Sequence, residues 1–228
     1  MLQLHDVITF RKRYREAVRS HYNGWFHLTA IVLICLGVSG YCIVLVDALR
    51  LGELLAVPLG ILLYNFMEYA AHRWAGHKKQ KLTRLFYNRH TGDHHSFYSP
   101  PLLSFASSRD WRIVLFPTYL SAFLAFILAP FCGYLLASLF SVNAGYILAA
   151  VIVLSHLGYE VLHLAYHQSE GHWFHNVPGL RELAHLHRIH HRRELMKTSN
   201  FNLTLPLFDL LLGTFHWEPR DTFDGPGK

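Results

Sequence analysis

Histidine is the residue this sequence uses out of proportion, 18 times in 228 residues. Most of these histidines stand in groups: His72 and His77 in EYAAHRWAGH, His90, His94 and His95 in RHTGDHH, His163 and His167 in EVLHLAYH, and His187, His190 and His191 in HRIHH. Imidazole can shuttle a proton near neutral pH or bind a metal through a neutral ring nitrogen. Proton transfer needs one or two such groups, and a four-coordinate metal about four ligands. Ten grouped imidazoles therefore favour two metal ions with several ligands each, and imidazole suits iron as well as zinc or copper. On a helix, residues three and four apart share a face, so His163 with His167, His90 with His94, and His187 with His190 and His191 are expected to converge. The adjacent pairs His94–His95 and His190–His191 point in two directions, which suits neighbours serving different metals.

Stepping outward from the histidines, the elements that must hold them are apolar spans. The chain is 52% hydrophobic and 16% charged, against roughly 25% charged in ordinary soluble domains. Four stretches carry almost no charge: about Trp25–Val46, Leu54–Ala71, Ile113–Pro130 and Gly145–Leu162. Each approaches the roughly 20 residues that cross a bilayer. Pro130, Cys132 and Gly133 are expected to break the third, with Tyr134–Phe140 continuing as a return dip. The expected organisation is a single 1–228 membrane domain: a basic tail (1–24), a first membrane hairpin (25–71), a histidine loop (72–112), a second hairpin (113–162) and a histidine-rich cap (163–228). The expected fold class is all-α, with four membrane spans in two hairpins and enough chain outside them for a cap.

Charge places the histidines on one side. Of the 21 Lys and Arg residues, Arg11, Lys12, Arg13, Arg15 and Arg19 precede the first span and most others lie in the middle loop or after His163, whereas Arg50 stands alone in a short turn on the other side. The positive-inside rule puts both ends, the middle loop and all the boxed histidines in the cytoplasm. The net charge of +6 follows this topology and does not point to nucleic acid. The first apolar run is longer than a signal-peptide core and reads as a retained span. Cys35, Cys42 and Cys132 lie in or beside spans and read as small core residues, not as a disulfide framework.

The order of the boxes resembles the integral-membrane fatty acid hydroxylase and sterol desaturase superfamily. His72 and His77 match its His-x4-His box, His90, His94 and His95 its second box, His163 and His167 its intervening pair, and His187, His190 and His191 its final His-x2-His-His. Glu68 and Tyr69 before the first box, and NFNLTLPLFDLLLGTF from Asn200 to Phe215, look similar as well. The resemblance covers about Trp25 to Trp217. It implies a four-helix membrane base under a cytosolic helical cap that holds a dimetal histidine cluster, with all ten histidines as metal ligands at this catalytic centre, two iron ions as cofactor, zinc being possible in purified protein, and O2 as co-substrate. It also implies hydroxylation of lipid acyl chains, with desaturation by the same site as the alternative. Only about 24 residues precede the first span, with no fused haem domain, so a separate electron-transfer protein is the expected partner and a bacterial inner membrane is favoured over endoplasmic reticulum. Glu68, Glu160 and Asp93 are candidate acceptors for ligand ring N–H groups.

Other readings fit less well. The His-Glu-x-x-His helix of zinc proteases is absent. A membrane cytochrome would place histidine pairs inside the spans. A metal transporter, the strongest non-enzyme alternative, would line a path through the bilayer with ionisable groups instead of gathering them at one face. His156, His172, His175 and His185 are left out of the ligand set, as are His5, His21, His27 and His216. Asn202 and Asp209 are expected to orient the cap without a catalytic role.

Overall fold

The computed structural model describes residues 4–169 and 171–219. Among them the regular structure is helical, with no strand. Six helices matter here: α1 (Leu4–Ala17), α2 (Gly24–Val44), α3 (Leu51–Gly76), α4 (Thr118–Leu139), α5 (Val142–Tyr166) and α6 (Leu180–His190). Of these, α2 to α5 are long and apolar enough to cross a membrane. The described residues group into two compact units, one from the stretches Met1–Ser20, Glu68–Ala106 and His163–Lys228, the other from His21–Met67 and Ser107–Leu162.

The second unit is the apolar one. The Asn23 side chain accepts from the Phe26 N–H at 3.1 Å and starts α2, the usual remedy for unpaired N–H groups at a helix start. Large apolar side chains such as Leu33, Ile43 and Val44 are exposed, as they must be on helices whose solvent is lipid. Glu53 is buried and ties together two short turns. It accepts from Arg50 N at 2.8 Å, Ser141 Oγ at 2.7 Å and Asn143 Nδ2 at 3.0 Å. The expected break in the third span does not occur, because α4 runs through Pro130 to Leu139. A π-helical turn, Leu124–Leu128, precedes Pro130, which stands in the first turn of the next α segment. There its missing N–H interrupts nothing essential and the helix continues. Tyr134–Phe140 is thus mostly the end of α4, with no return dip.

Helices α4 and α5 cross where Gly133 faces Gly145. A Cβ on either would stand 2.5 Å from the other's carbonyl oxygen, the close approach that small residues permit between membrane helices. Gly145→Leu is expected to prise them apart and destabilise the protein by about 1–3 kcal/mol. A lowered unfolding temperature in detergent, relative to Gly158→Leu, checks this, because a Cβ at Gly158 meets nothing within 4 Å.

In the first unit, α1 is fixed by Arg11, which is buried despite its charge. Its Nε donates to the Phe97 carbonyl at 2.8 Å and its Nη2 to Leu102 at 2.6 Å, and its guanidinium lies 4.7 Å from the Phe97 ring centre. One of the basic residues read as a topology signal therefore braces the loop that carries the second histidine box.

Candidate metal centre

All ten boxed histidines belong to the first unit. His72, His77, His90, His95 and His190 form one group, and His94, His163, His167 and His187 another, each with one ring nitrogen per residue within 4.8 Å of all the others in its group. His191 joins the second group by distance, its Nε2 lying 3.2 Å from that of His94 and 3.0 Å from that of His187.

The division follows the local helix type. His72 and His77 are five residues apart, as are His90 and His95. An α-helix would separate such residues by about 140° around its axis. Ala71–Gly76 and Asn88–His94 are π-helical instead, and their wider i→i+5 turns return residues five apart to one side. Both pairs fall in the first group. Spacings of four on regular helix supply the second group: His163 and His167 at the end of α5, and His187 and His191 at the end of α6. His90 therefore meets His95, and His94 turns to the other group. His187 likewise parts from His190.

Five of the rings have their tautomer fixed by outer partners. The Nδ1 of His72 meets the Phe201 carbonyl, that of His167 the Leu103 carbonyl at 2.7 Å, that of His190 the Ser199 carbonyl at 2.7 Å, and that of His191 the Tyr98 carbonyl at 2.6 Å. A carbonyl only accepts, so each Nδ1 carries the hydrogen and each Nε2 of a neutral ring presents a lone pair. His77 is fixed in the same sense. Thr91 Oγ1 donates to the Gly76 carbonyl at 2.6 Å and thus accepts from His77 Nδ1 at 3.0 Å.

Burial keeps these rings neutral. It pushes His77 down to about 2 and His191 to about 3, and holds His90, His94, His95, His167, His187 and His190 well below the ordinary imidazole range, with neighbouring imidazoles adding repulsion at each; at His191 the Tyr98 carbonyl offsets part of the effect. The Nε2 atoms of His77 and His190 stand 3.1 Å apart, each a lone pair with no hydrogen between them. The Nε2 of His72 is buried without a hydrogen-bond partner among the described residues. Convergent neutral lone pairs repel one another, and a cation between them removes that repulsion. The donor set fits metal ions.

Two of the three carboxylates read as ring partners, Glu68 and Glu160, hold main-chain N–H groups. Glu68 accepts from Leu203 N, from Thr204 N at 3.1 Å and from Thr204 Oγ1 at 2.5 Å. Glu160 accepts from Phe116 N at 3.1 Å through Oε2. The ring N–H groups of His72, His167, His190 and His191 go to main-chain carbonyls, which no side-chain pattern announces. Asp209, expected to orient the cap, accepts from Phe201 N at 2.9 Å and Asn202 N at 2.7 Å, and so steadies the segment whose carbonyl holds His72. Tyr98 was not singled out by spacing, yet its ring stacks on His167 at 3.9 Å between centres. Of the histidines set aside, His156 lies in the apolar unit beside Tyr64 and Ser121, at 3.2 and 3.0 Å, and His185 Nε2 meets the Glu218 carbonyl at 2.7 Å.

No curated protein sequence matches the chain. A solved structure described as full-length Scs7p, with only its hydroxylase domain visible, is similar with a TM-score of 0.60 at 20% identity, over 86% of this chain and 67% of that one. At that identity the likeness concerns the fold. The fatty acid hydroxylase family model matches residues 57–214, a stretch that contains every boxed histidine. The chain belongs to the fatty acid hydroxylase family.

Proposed function

We propose that this protein is a membrane-bound, O2-dependent hydroxylase of lipid acyl chains, with two iron ions held by the ten boxed histidines, active on the cytoplasmic face. The observation that carries this reading is the pair of histidine groups whose Nε2 atoms converge, with the Nδ1 hydrogens of His72, His77, His167, His190 and His191 held from outside. Bound iron would supply O2 activation, so that one oxygen atom enters a C–H bond and the other leaves as water, with two electrons and two protons from outside the chain.

The protein's share is orientation and exclusion of water. The carbonyls of Phe201, Ser199, Leu103 and Tyr98 fix ring tautomer and direction, as outer partners of metal ligands do. Burial of the rings keeps bulk water from the site. The basic residues that flank the spans favour the cytoplasmic assignment, and reducing equivalents would come from a separate electron-transfer protein.

Lipid mass spectrometry tests this in cells that supply iron and an electron donor. Wild type is expected to add one oxygen atom to a lipid class, and His94→Ala/His191→Ala to abolish that product. Loss of two hydrogens would make the reaction a desaturation. Identical lipid profiles for the two proteins would end the lipid-oxidation reading.

A further inference from the structure

The apolar unit contains a cavity of about 990 Å³ that plays no part in the metal centre. It lies among the C-terminal half of α2, the C-terminal part of α4 and the first turns of α5, where those helices approach their short turns. Ala149 is its last lining residue on α5. Fourteen residues separate Ala149 from His163, roughly 21 Å of helix. The cavity thus borders the N-terminal part of α5, not the end of that helix that carries His163.

Three glycines border this space, Gly37, Gly133 and Gly145. Gly133 and Gly145 let α4 and α5 touch, but a Cβ on Gly37 would meet nothing within 4 Å, so the missing side chain there leaves a hollow. The lining is almost wholly aliphatic and aromatic. Three tyrosines are among the lining residues, and two of them, Tyr41 and Tyr134, are 67% and 69% exposed, as is usual where a membrane helix meets the headgroup level. The volume lies at the upper end of the roughly 300–1,000 Å³ of small-molecule sites. An apolar hollow in a membrane-spanning segment, with exposed tyrosines in its lining, has the chemistry of an acyl chain under a polar headgroup.

We infer that this cavity binds one phospholipid by an acyl chain, at a site separate from the reaction centre; its assignment to the non-cytoplasmic leaflet rests on the topology proposed above. The lipid fills the hollow beside Gly37, and Tyr41 and Tyr134 meet its headgroup region.

Native mass spectrometry of the purified full-length chain, released from nanodiscs of a single phosphatidylethanolamine, tests the site without reference to metal or turnover. Wild type is expected to retain one phospholipid per chain. Gly37→Phe, which fills the hollow, should lose it. Gly40→Phe is the matched control, because Gly40 lies on the same helix, has equal space for a side chain and does not line the cavity. Equal retention by both variants, or none by wild type, would overturn the proposal. So would a wild-type dimer that Gly37→Phe dissolves, since the cavity would then be an interface between copies.

Discussion

His187→Ala and His95→Ala are each expected to lower bound metal from two ions per chain to one, and to cut product formation by at least roughly 100-fold. These two positions isolate the inner nitrogen. Neither ring has a hydrogen-bond partner for its Nδ1 among the described residues, so truncation removes no outer contact and acts through Nε2. His187 Nε2 lies 3.1 Å from that of His167 and 3.0 Å from that of His191, whereas His95 Nε2 lies 3.2 Å from that of His90. The losses should therefore fall on different ions. The magnitude follows from outer-partner mutations, which already cost about 10–100-fold; removal of a ligand should cost more. Metal counted per chain by mass spectrometry, alongside product, checks this. If both single variants kept two ions while folded, the assignment of these groups as two metal sites would fail. The double variant, which damages both groups, should lose most of its metal.

Much of this arrangement was legible in the sequence, for identifiable reasons. Four uncharged runs and the one-sided placement of Lys and Arg announce membrane helices, since a bilayer tolerates few other patterns. Box order announced the family. Which histidines meet was less legible, because the α-helical rule of three and four pairs His90 with His94. The structure pairs His90 with His95 through a π-helical turn, and nothing in the composition of NRHTGDH marks such a turn. The spacing of five in both HRWAGH and HTGDHH is the signal that would have paired them. The outer partners were illegible for a different reason. Every residue has a carbonyl, so neither Ser199 nor Phe201 stands out until the fold brings it to His190 or His72. Pro130 misled in the opposite direction, since its conformational cost is absorbed by the π-helical turn before it.

Glu68 gives the second large effect. Its carboxylate holds the main chain at Leu203 and Thr204, and the strand of chain just before them offers the Ser199 and Phe201 carbonyls to two histidines of the first group. Glu68→Ala would leave two main-chain N–H groups short of an acceptor, one of them buried at Leu203, at about 1–3 kcal/mol for a buried unpaired donor. The freed segment would no longer fix the rings of His72 and His190. Metal affinity of the first group is expected to fall about 10–100-fold, while the second group, whose His167 and His191 lean on Leu103 and Tyr98, keeps its ion. Glu68→Gln should restore most of this affinity, because an amide oxygen can still accept from both N–H groups and Thr204 Oγ1 can turn to accept from the amide nitrogen. A competitive chelator titration of each variant, read as two separate metal-release steps, distinguishes the outcomes. Equal weakening of both steps in Glu68→Ala would point to general loosening of the fold. No weakening at all would mean that the segment from Ser199 to Thr204 holds its place without Glu68, and its role in orienting the first group would have to be abandoned.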